Sequence, residues 1–327
     1  MLKYWVVFIA ALISSVVFTF SMVRVSLKYN ILKTKNIPLV GGLGVGLAFV
    51  FSLSLGFLMF DLSFIKISVI AGVCLLTLFF GVIDDLRELS VVQKVMVQSF
   101  CALLLILFGI RTDIMYIGFW GNFLISFFWI LGMTNAFNLL DIMDGLAAGI
   151  ALIVSGAFLL IGFLSGNLNV QVLSLILSAG SAGFLIFNLP PAKVYLGNSG
   201  SHFLGLLISS VALITHYASK ENVFGLLSPI MILGLPIVDT ILLVIFRIIK
   251  RRPPFKKSRD HLALKIGVLG FSPAKTILIM YSLCSIFASC GVILTRVNNL
   301  FAVVIIIAVF LFSISIFWRL VKIETNG

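Results

Sequence analysis

Acidic side chains are scarce in this chain: of 327 residues only 11 are Asp or Glu, and all charged residues together make up 10%. Soluble domains average about 25% charged residues, and no polar stretch here is long enough to form one. The histidines number three and the cysteines four. Cys74, Cys101, Cys284 and Cys290 all lie inside apolar runs without metal-ligand spacing, so they read as small apolar packing and say nothing about redox compartment. Internal repeats and low-complexity tracts are also lacking.

What is there is apolar. Hydrophobic residues make up 61% of the chain, in runs near 20 residues that recur from end to end. The expected fold is a single all-α integral-membrane domain over 1–327. Eleven spanning helices are expected (ten possible), at 4–23, 39–60, 64–83, 92–110, 122–140, 145–164, 168–189, 200–219, 224–248, 274–294 and 299–318. At about 1.5 Å per residue, about 20 residues cross a hydrocarbon core of about 30 Å. The first run is longer than a typical signal-peptide core and has no clear small-residue cleavage site before Arg24, so it reads as a span.

The formal net charge of +12 flanks these runs instead of forming a soluble basic face, which argues against nucleic-acid binding. With the N-terminus outside and the C-terminus cytoplasmic, eighteen Lys and Arg fall inside. Only Lys3, Lys66, Arg111, Lys220 and Arg296 fall outside. That is the bias expected of cytoplasmic loops. The longest loop, 249–273, is basic and cytoplasmic in this topology, a topology anchor or an attractor of anionic substrate.

Against this background four aspartates stand out. Asp84 and Asp85 end the third run; Asp141 and Asp144 lie between the fifth and sixth. A carboxylate at membrane depth is costly unless it faces protein, water, a cation or a substrate. Asn135, Asn138, Asp141 and Asp144 recur every three residues, so on a helix they share a slowly drifting face. Such amides and carboxylates suit hard cations and phosphoryl or sugar oxygens; polar packing within the bundle is the bland alternative. Asp84 and Asp85 point about 100° apart on a helix, so one is expected to face a site while the other holds a neighbouring helix or a Lys. The stretch Tyr195 to His202 opens the eighth helix with small residues, leaving backbone N–H groups as an anion site. Asp239 reads as a buried supporting carboxylate.

These residues resemble the polyprenyl-phosphate N-acetylhexosamine-1-phosphate transferases, which include the phospho-MurNAc-pentapeptide translocases. Pro38 to Gly42, Gly81 to Lys94, Asn135 to Gly149, Val194 to Gly205, Pro236 to Thr240 and Arg259 to Gly270 match six family motifs in order. The resemblance implies a phosphotransferase that moves HexNAc-1-phosphate from a UDP-amino sugar to undecaprenyl or another polyprenyl phosphate. UMP is released, and Mg²⁺ or Mn²⁺ is required. It also implies a bacterial or archaeal cytoplasmic membrane, a site facing the cytoplasm, and a role in cell-wall, lipopolysaccharide or teichoic-acid synthesis; a homodimer is compatible. The implied catalytic residues are Asp84, Asp85 and Asp144, with Asp84 or Asp85 positioning the lipid phosphate or taking its proton. The implied substrate contacts are Asn135, Asn138, Asp141, Lys94, Tyr195 and His261. The implied metal ligands are Asp141, Asp144 and Asn198.

Two departures stand against the pattern. The fourth motif carries Asn198 where the family has an aspartate, and the last loop keeps only His261 of a histidine cluster, with Ala263 and Leu264 in its other places. These motivate an alternative, a catalytically impaired relative that binds polyprenyl phosphate or UDP-sugar as a scaffold. A proton-coupled transporter fits less well, because its ionisable groups would sit near mid-membrane.

Overall fold

Helices dominate the chain because the long apolar runs must satisfy their backbone internally. A computed structural model describes residues 1–34, 36–218, 222–249 and 260–321. Lys250 to Arg259, most of the basic content of the expected loop, lies outside the described residues, as do Lys35, Lys220 and Lys322. The chain groups into two units, Met1–His216 and Tyr217–Gly327.

The first unit holds α1 (Leu2–Tyr29), the two-residue antiparallel strands β1 (Lys33–Thr34) and β2 (Ile37–Pro38), α2 (Gly41–Met59), α3 (Phe64–Leu86), α4 (Val91–Leu107), α5 (Gly118–Leu140), α6 (Leu146–Ser165), α7 (Leu168–Asn188) and α8 (Gly197–Ile214). α1 runs past the expected end at 23. It stops where Asn30 takes the left-handed conformation, a turn that Asn tolerates. α4 opens on a capping box between Ser90 and Gln93 and is only 17 residues long.

α8 is the axis of this unit. Every residue from Ser199 to Ala212 is buried, and α2, α3 and α5 pack around it. Glycine makes the approach possible. A Cβ on Gly81 would fall 2.3 Å from Ser199 Cα, and one on Gly42 would fall 2.2 Å from the Gly200 nitrogen. Large apolar side chains such as Phe79, Met96 and Trp120 point outward, as lipid-facing side chains do.

The second unit holds α9 (Ser228–Ile232), α10 (Gly234–Ile249), α11 (Leu262–Val268), α12 (Pro273–Leu294) and α13 (Asn299–Val321). The span expected at 224–248 is bent by 68° between Ile232 and Gly234. Gly234 loosens the backbone there, and Pro236, lacking an N–H, sits where a new first turn leaves that donor unused. Among the described residues nine helices are long and apolar enough to cross a membrane, or ten with the bent pair taken as one. The eleven expected from sequence also include the shorter α4. The chain is a multi-pass membrane protein.

Candidate active site

The site is built where α3, α5 and α8 end or begin at one edge of the first unit. The segment after β2 is tied to the loop before α8: Tyr195 N donates to Pro38 O at 2.8 Å, Gly41 N to Tyr195 O at 3.0 Å and Gly42 N to Leu196 O at 2.9 Å. The first and fourth sequence motifs are thus joined by backbone. Gly197 then turns with φ 77°, and a Cβ there would lie 2.7 Å from Asp85 Oδ2.

Asp85 explains that crowding. Its carboxylate accepts from Asn198 N at 2.8 Å and Ser199 N at 3.0 Å. The N-terminus of α8 does hold an anion, as its small residues suggest, but the anion is a carboxylate of the chain itself. Asp84, on the next helical position, turns to α4. It meets Lys94 Nζ at 2.7 Å and accepts from Leu89 N at 2.8 Å. Both aspartates of this pair are therefore bound within the protein.

The other pair is different. Asp141 follows the last residue of α5, and Asp144 lies in the turn before α6, where Gly145 has φ 78°. Both line a cavity of about 260 Å³ with Leu39, Ile142, Met143, Asn188, Tyr195 and Gly197. Asp144 Oδ2 accepts from Ala192 N at 2.9 Å. Among the described residues the Asp141 carboxylate accepts no hydrogen bond. Burial pushes its carboxyl up to about 7, with the charges of Asp85 and Asp144 adding to the effect. Three carboxylates thus act on one another without a compensating base at Asp141.

Asn138 joins the two sides: its Nδ2 donates to Asn198 Oδ1 at 2.9 Å and to Ser201 Oγ at 3.0 Å. Asn135 turns away to α4, where it exchanges amide hydrogen bonds with Gln98 at 2.7 and 3.2 Å. Asn188 was not singled out from sequence. Buried at the end of α7, it accepts from Gly145 N at 2.9 Å and donates to Val194 O at 2.8 Å, so it braces the turn carrying Asp144. An amide next to Pro190-Pro191 was the only signal, and its partners lie 43 and 6 residues away.

His261 lies in the second unit, buried, with Nδ1 2.9 Å from Asp239 Oδ2; Asp239 Oδ1 also accepts from Leu262 N at 2.7 Å. Asp239 is thus the carboxylate that orients His261 and starts α11. Lys265 is buried over the Phe246 ring at 3.7 Å.

Among the described residues no three of His, Cys, Asp and Glu gather as a metal site. A hard cation on a phosphate substrate needs only one or two protein carboxylates, the rest coming from phosphate and water. Asp141, short of hydrogen-bond donors and held beside Asp144 in a polar cavity, fits that requirement.

The family described as Glycosyl transferase family 4 matches residues 67–216. The probable undecaprenyl-phosphate N-acetylglucosaminyl 1-phosphate transferase of Bacillus subtilis is 29% identical over 326 residues, 94% of this chain and 90% of its own length. The undecaprenyl-phosphate alpha-N-acetylglucosaminyl 1-phosphate transferase of Thermotoga maritima is 32% identical over 245 residues, 73% of this chain and 74% of its own. A putative UDP-N-acetylglucosamine–dolichyl-phosphate N-acetylglucosaminephosphotransferase of Sulfolobus acidocaldarius is 34% identical over 204 residues, 56% of this chain and 60% of its own.

Proposed function

This chain belongs to glycosyl transferase family 4, the polyprenyl-phosphate N-acetylhexosamine-1-phosphate transferases, and from that premise we propose that it transfers N-acetylglucosamine 1-phosphate from its UDP-sugar to a polyprenyl phosphate. An oxygen of the lipid phosphate attacks the phosphorus that bears the sugar. The bond from that phosphorus to the bridging oxygen breaks, and UMP leaves with the electron pair. The products are a polyprenyl diphosphate sugar and UMP. The observation that carries this reading is the cavity in which Asp141 and Asp144 stand beside Tyr195.

Attack of one phosphate on another brings like charges together, so fixed positive charge and oriented donors are the main catalytic device. Asp141 and Asp144 are the proposed ligands of Mg²⁺ or Mn²⁺, which would neutralise the donor's diphosphate. The neutral Asn198 is a weaker third candidate, its Oδ1 already accepting from Asn138. Asn138 holds the edge of α8 in register with α5. Lys94 is proposed to meet a substrate phosphate, and Asp84 to orient the Lys94 ammonium. Asp85 is proposed to fix the start of α8, Tyr195 to stack on the base, and His261 to contact substrate through Nε2, its Nδ1 being held by Asp239. A lipid phosphate needs little help to be ionised near neutral pH, so orientation matters more than basicity. The positive-inside bias supports a site facing the cytoplasm, with the N-terminus outside.

Purified protein in lipid nanodiscs with radiolabelled UDP-GlcNAc, undecaprenyl phosphate and Mg²⁺ or Mn²⁺ is expected to yield lipid-linked sugar and UMP. Absence of both products with several UDP-amino sugars overturns the reading. Metal-dependent nucleotide binding without product would instead favour the impaired, scaffold-type relative that Asn198 suggests.

A further inference from the structure

His202 is 5% exposed, and its Nε2 is buried without a hydrogen-bond partner. Nothing in the proposed reaction uses it. A buried polar atom left unmatched calls for an explanation, often an unbound ligand or a second conformation. Ser199 and His202 stand one turn apart on α8, and Ser199 meets Gly81 of α3 at backbone contact. His202 therefore faces the seam that also carries the Asp84–Lys94 pair, and those two charges are the ones that act on its ring.

The pair has a conflict to resolve. Asp84 is 5% exposed. Its Oδ1 accepts from Leu89 N, and its Oδ2 meets the Lys94 ammonium at 2.7 Å. If Lys94 turns to a substrate phosphate, a buried carboxylate oxygen loses its cation. The amides of Gln98 and Asn135 on the same seam are occupied with each other. Two buried donors there lack a partner among the described residues: Ser199 Oγ, which lies against Gly42 of α2, and His202 Nε2. We propose that His202 is a positioning residue: its Nε2–H takes over Asp84 Oδ2 when the Lys94 ammonium turns to a substrate phosphate. The imidazole stays neutral throughout, with its proton on Nε2, and no proton or bond changes hands. The inference rests on the role proposed above for Lys94.

The test titrates full-length protein in nanodiscs with undecaprenyl phosphate alone and with UDP-GlcNAc alone, read by native mass spectrometry. His202→Leu removes the donor at similar volume and is expected to weaken one of the two ligands about tenfold, the scale of a hydrogen bond to a charged group. The ligand affected identifies which phosphate Lys94 serves. His202→Gln keeps a donor and is expected to stay within about threefold of wild type on the same scale. In a Lys94→Gln background, where no ammonium is released, His202→Leu is expected to add nothing. Equal binding of both ligands by wild type and His202→Leu overturns the proposal. So does His202→Gln being as weak as His202→Leu, or the full loss persisting without Lys94. Should His202→Leu not fold, His202→Ala against His202→Gln makes the same comparison. Wild type that binds ligand but releases no UMP sinks the transferase reading and leaves the binding contrast to decide His202; wild type that binds neither ligand overturns both.

Discussion

The two aspartate pairs sit at the same edge of the first unit and are built to opposite rules. Asp84 and Asp85 are matched inside the protein, one by Lys94 and a backbone N–H, the other by two backbone N–H groups at the start of α8. Asp141 and Asp144 line a cavity, and among the described residues the protein supplies them only the N–H of Ala192. The sequence sets all four at the ends of apolar helices and assigns only one of Asp84 and Asp85 to a structural partner. The difference lies in how many carboxylate lone pairs the protein itself occupies. A carboxylate with its acceptors filled holds elements together, whereas one with them empty awaits a cation or a donor from outside.

The largest effect should separate the pairs by activity. Asp141→Asn removes a carboxylate that no described protein group compensates and is expected to lower UMP release by at least about 10²–10³-fold, the scale of losing one electrostatic stabiliser in a dry site. Its thermal midpoint in detergent should hold or rise. Asp144→Asn should also abolish turnover in a folded protein, since an amide oxygen can still accept from Ala192. Full-rate turnover by either variant would remove that residue from the site.

Asp85→Ala should fail in the other way. Two N–H groups at the start of α8 lose their acceptors, so the protein is expected to lose about 1–3 kcal/mol of stability. Thermal unfolding in detergent measures it. Activity should fall in step with the folded fraction. A stable but inactive Asp85→Ala would break the comparison, because it would place Asp85 with the cavity pair.

A smaller, pH-dependent difference follows from Asp141. Its folded carboxyl lies at about 7 against an ordinary 3.8, so the unfolded chain gives up the proton first. Stability from this group is present at low pH and is lost as pH rises from about 4 through about 7. In metal-free buffer the midpoint of wild type relative to Asp141→Asn should therefore fall across that window, and Mg²⁺ should flatten the fall. A difference independent of pH, with or without Mg²⁺, would mean that Asp141 is not held short of a counter-charge.

Much of this was legible in the sequence, for reasons that particular residues make plain. Apolar runs near 20 residues define helices α5 to α8 because lipid permits little else. The three-residue spacing from Asn135 to Asp144 singled out Asp141 and Asp144, but not by a shared helical face: α5 ends at Leu140, and the turn that follows brings both to one cavity. Hydropathy did not register the break at Leu233, because the residues on both sides of the bend are equally apolar. The amide exchange between Asn135 and Gln98 and the capping of α8 by Asp85 were out of reach, since their partners lie 37 and 113 residues apart. Periodicity reports which residues share a face; it does not report which of them satisfy one another across helices.

The smallest expected effect asks whether the cavity pair is one charge short. Asn198 touches one pair directly and follows Gly197 of the cavity wall: its N–H donates to Asp85, and its Oδ1 accepts from Asn138. Asn198→Asp keeps both contacts, because a carboxylate oxygen accepts from Asn138 at least as well as an amide oxygen. It adds a negative charge next to Asp85 and within the field of Asp141 and Asp144. Without a cation that charge is repulsive, and the thermal midpoint in metal-free buffer should drop. With a cation the same charge becomes attractive, so half-maximal activation should need less Mg²⁺, by about tenfold or about 1.4 kcal/mol. The two shifts have opposite signs and a common cause, which distinguishes them from a simple loss of packing. A midpoint that falls while the Mg²⁺ requirement is unchanged would mean that Asn198 belongs with Asp84 and Asp85, as part of the frame and not of the cation site.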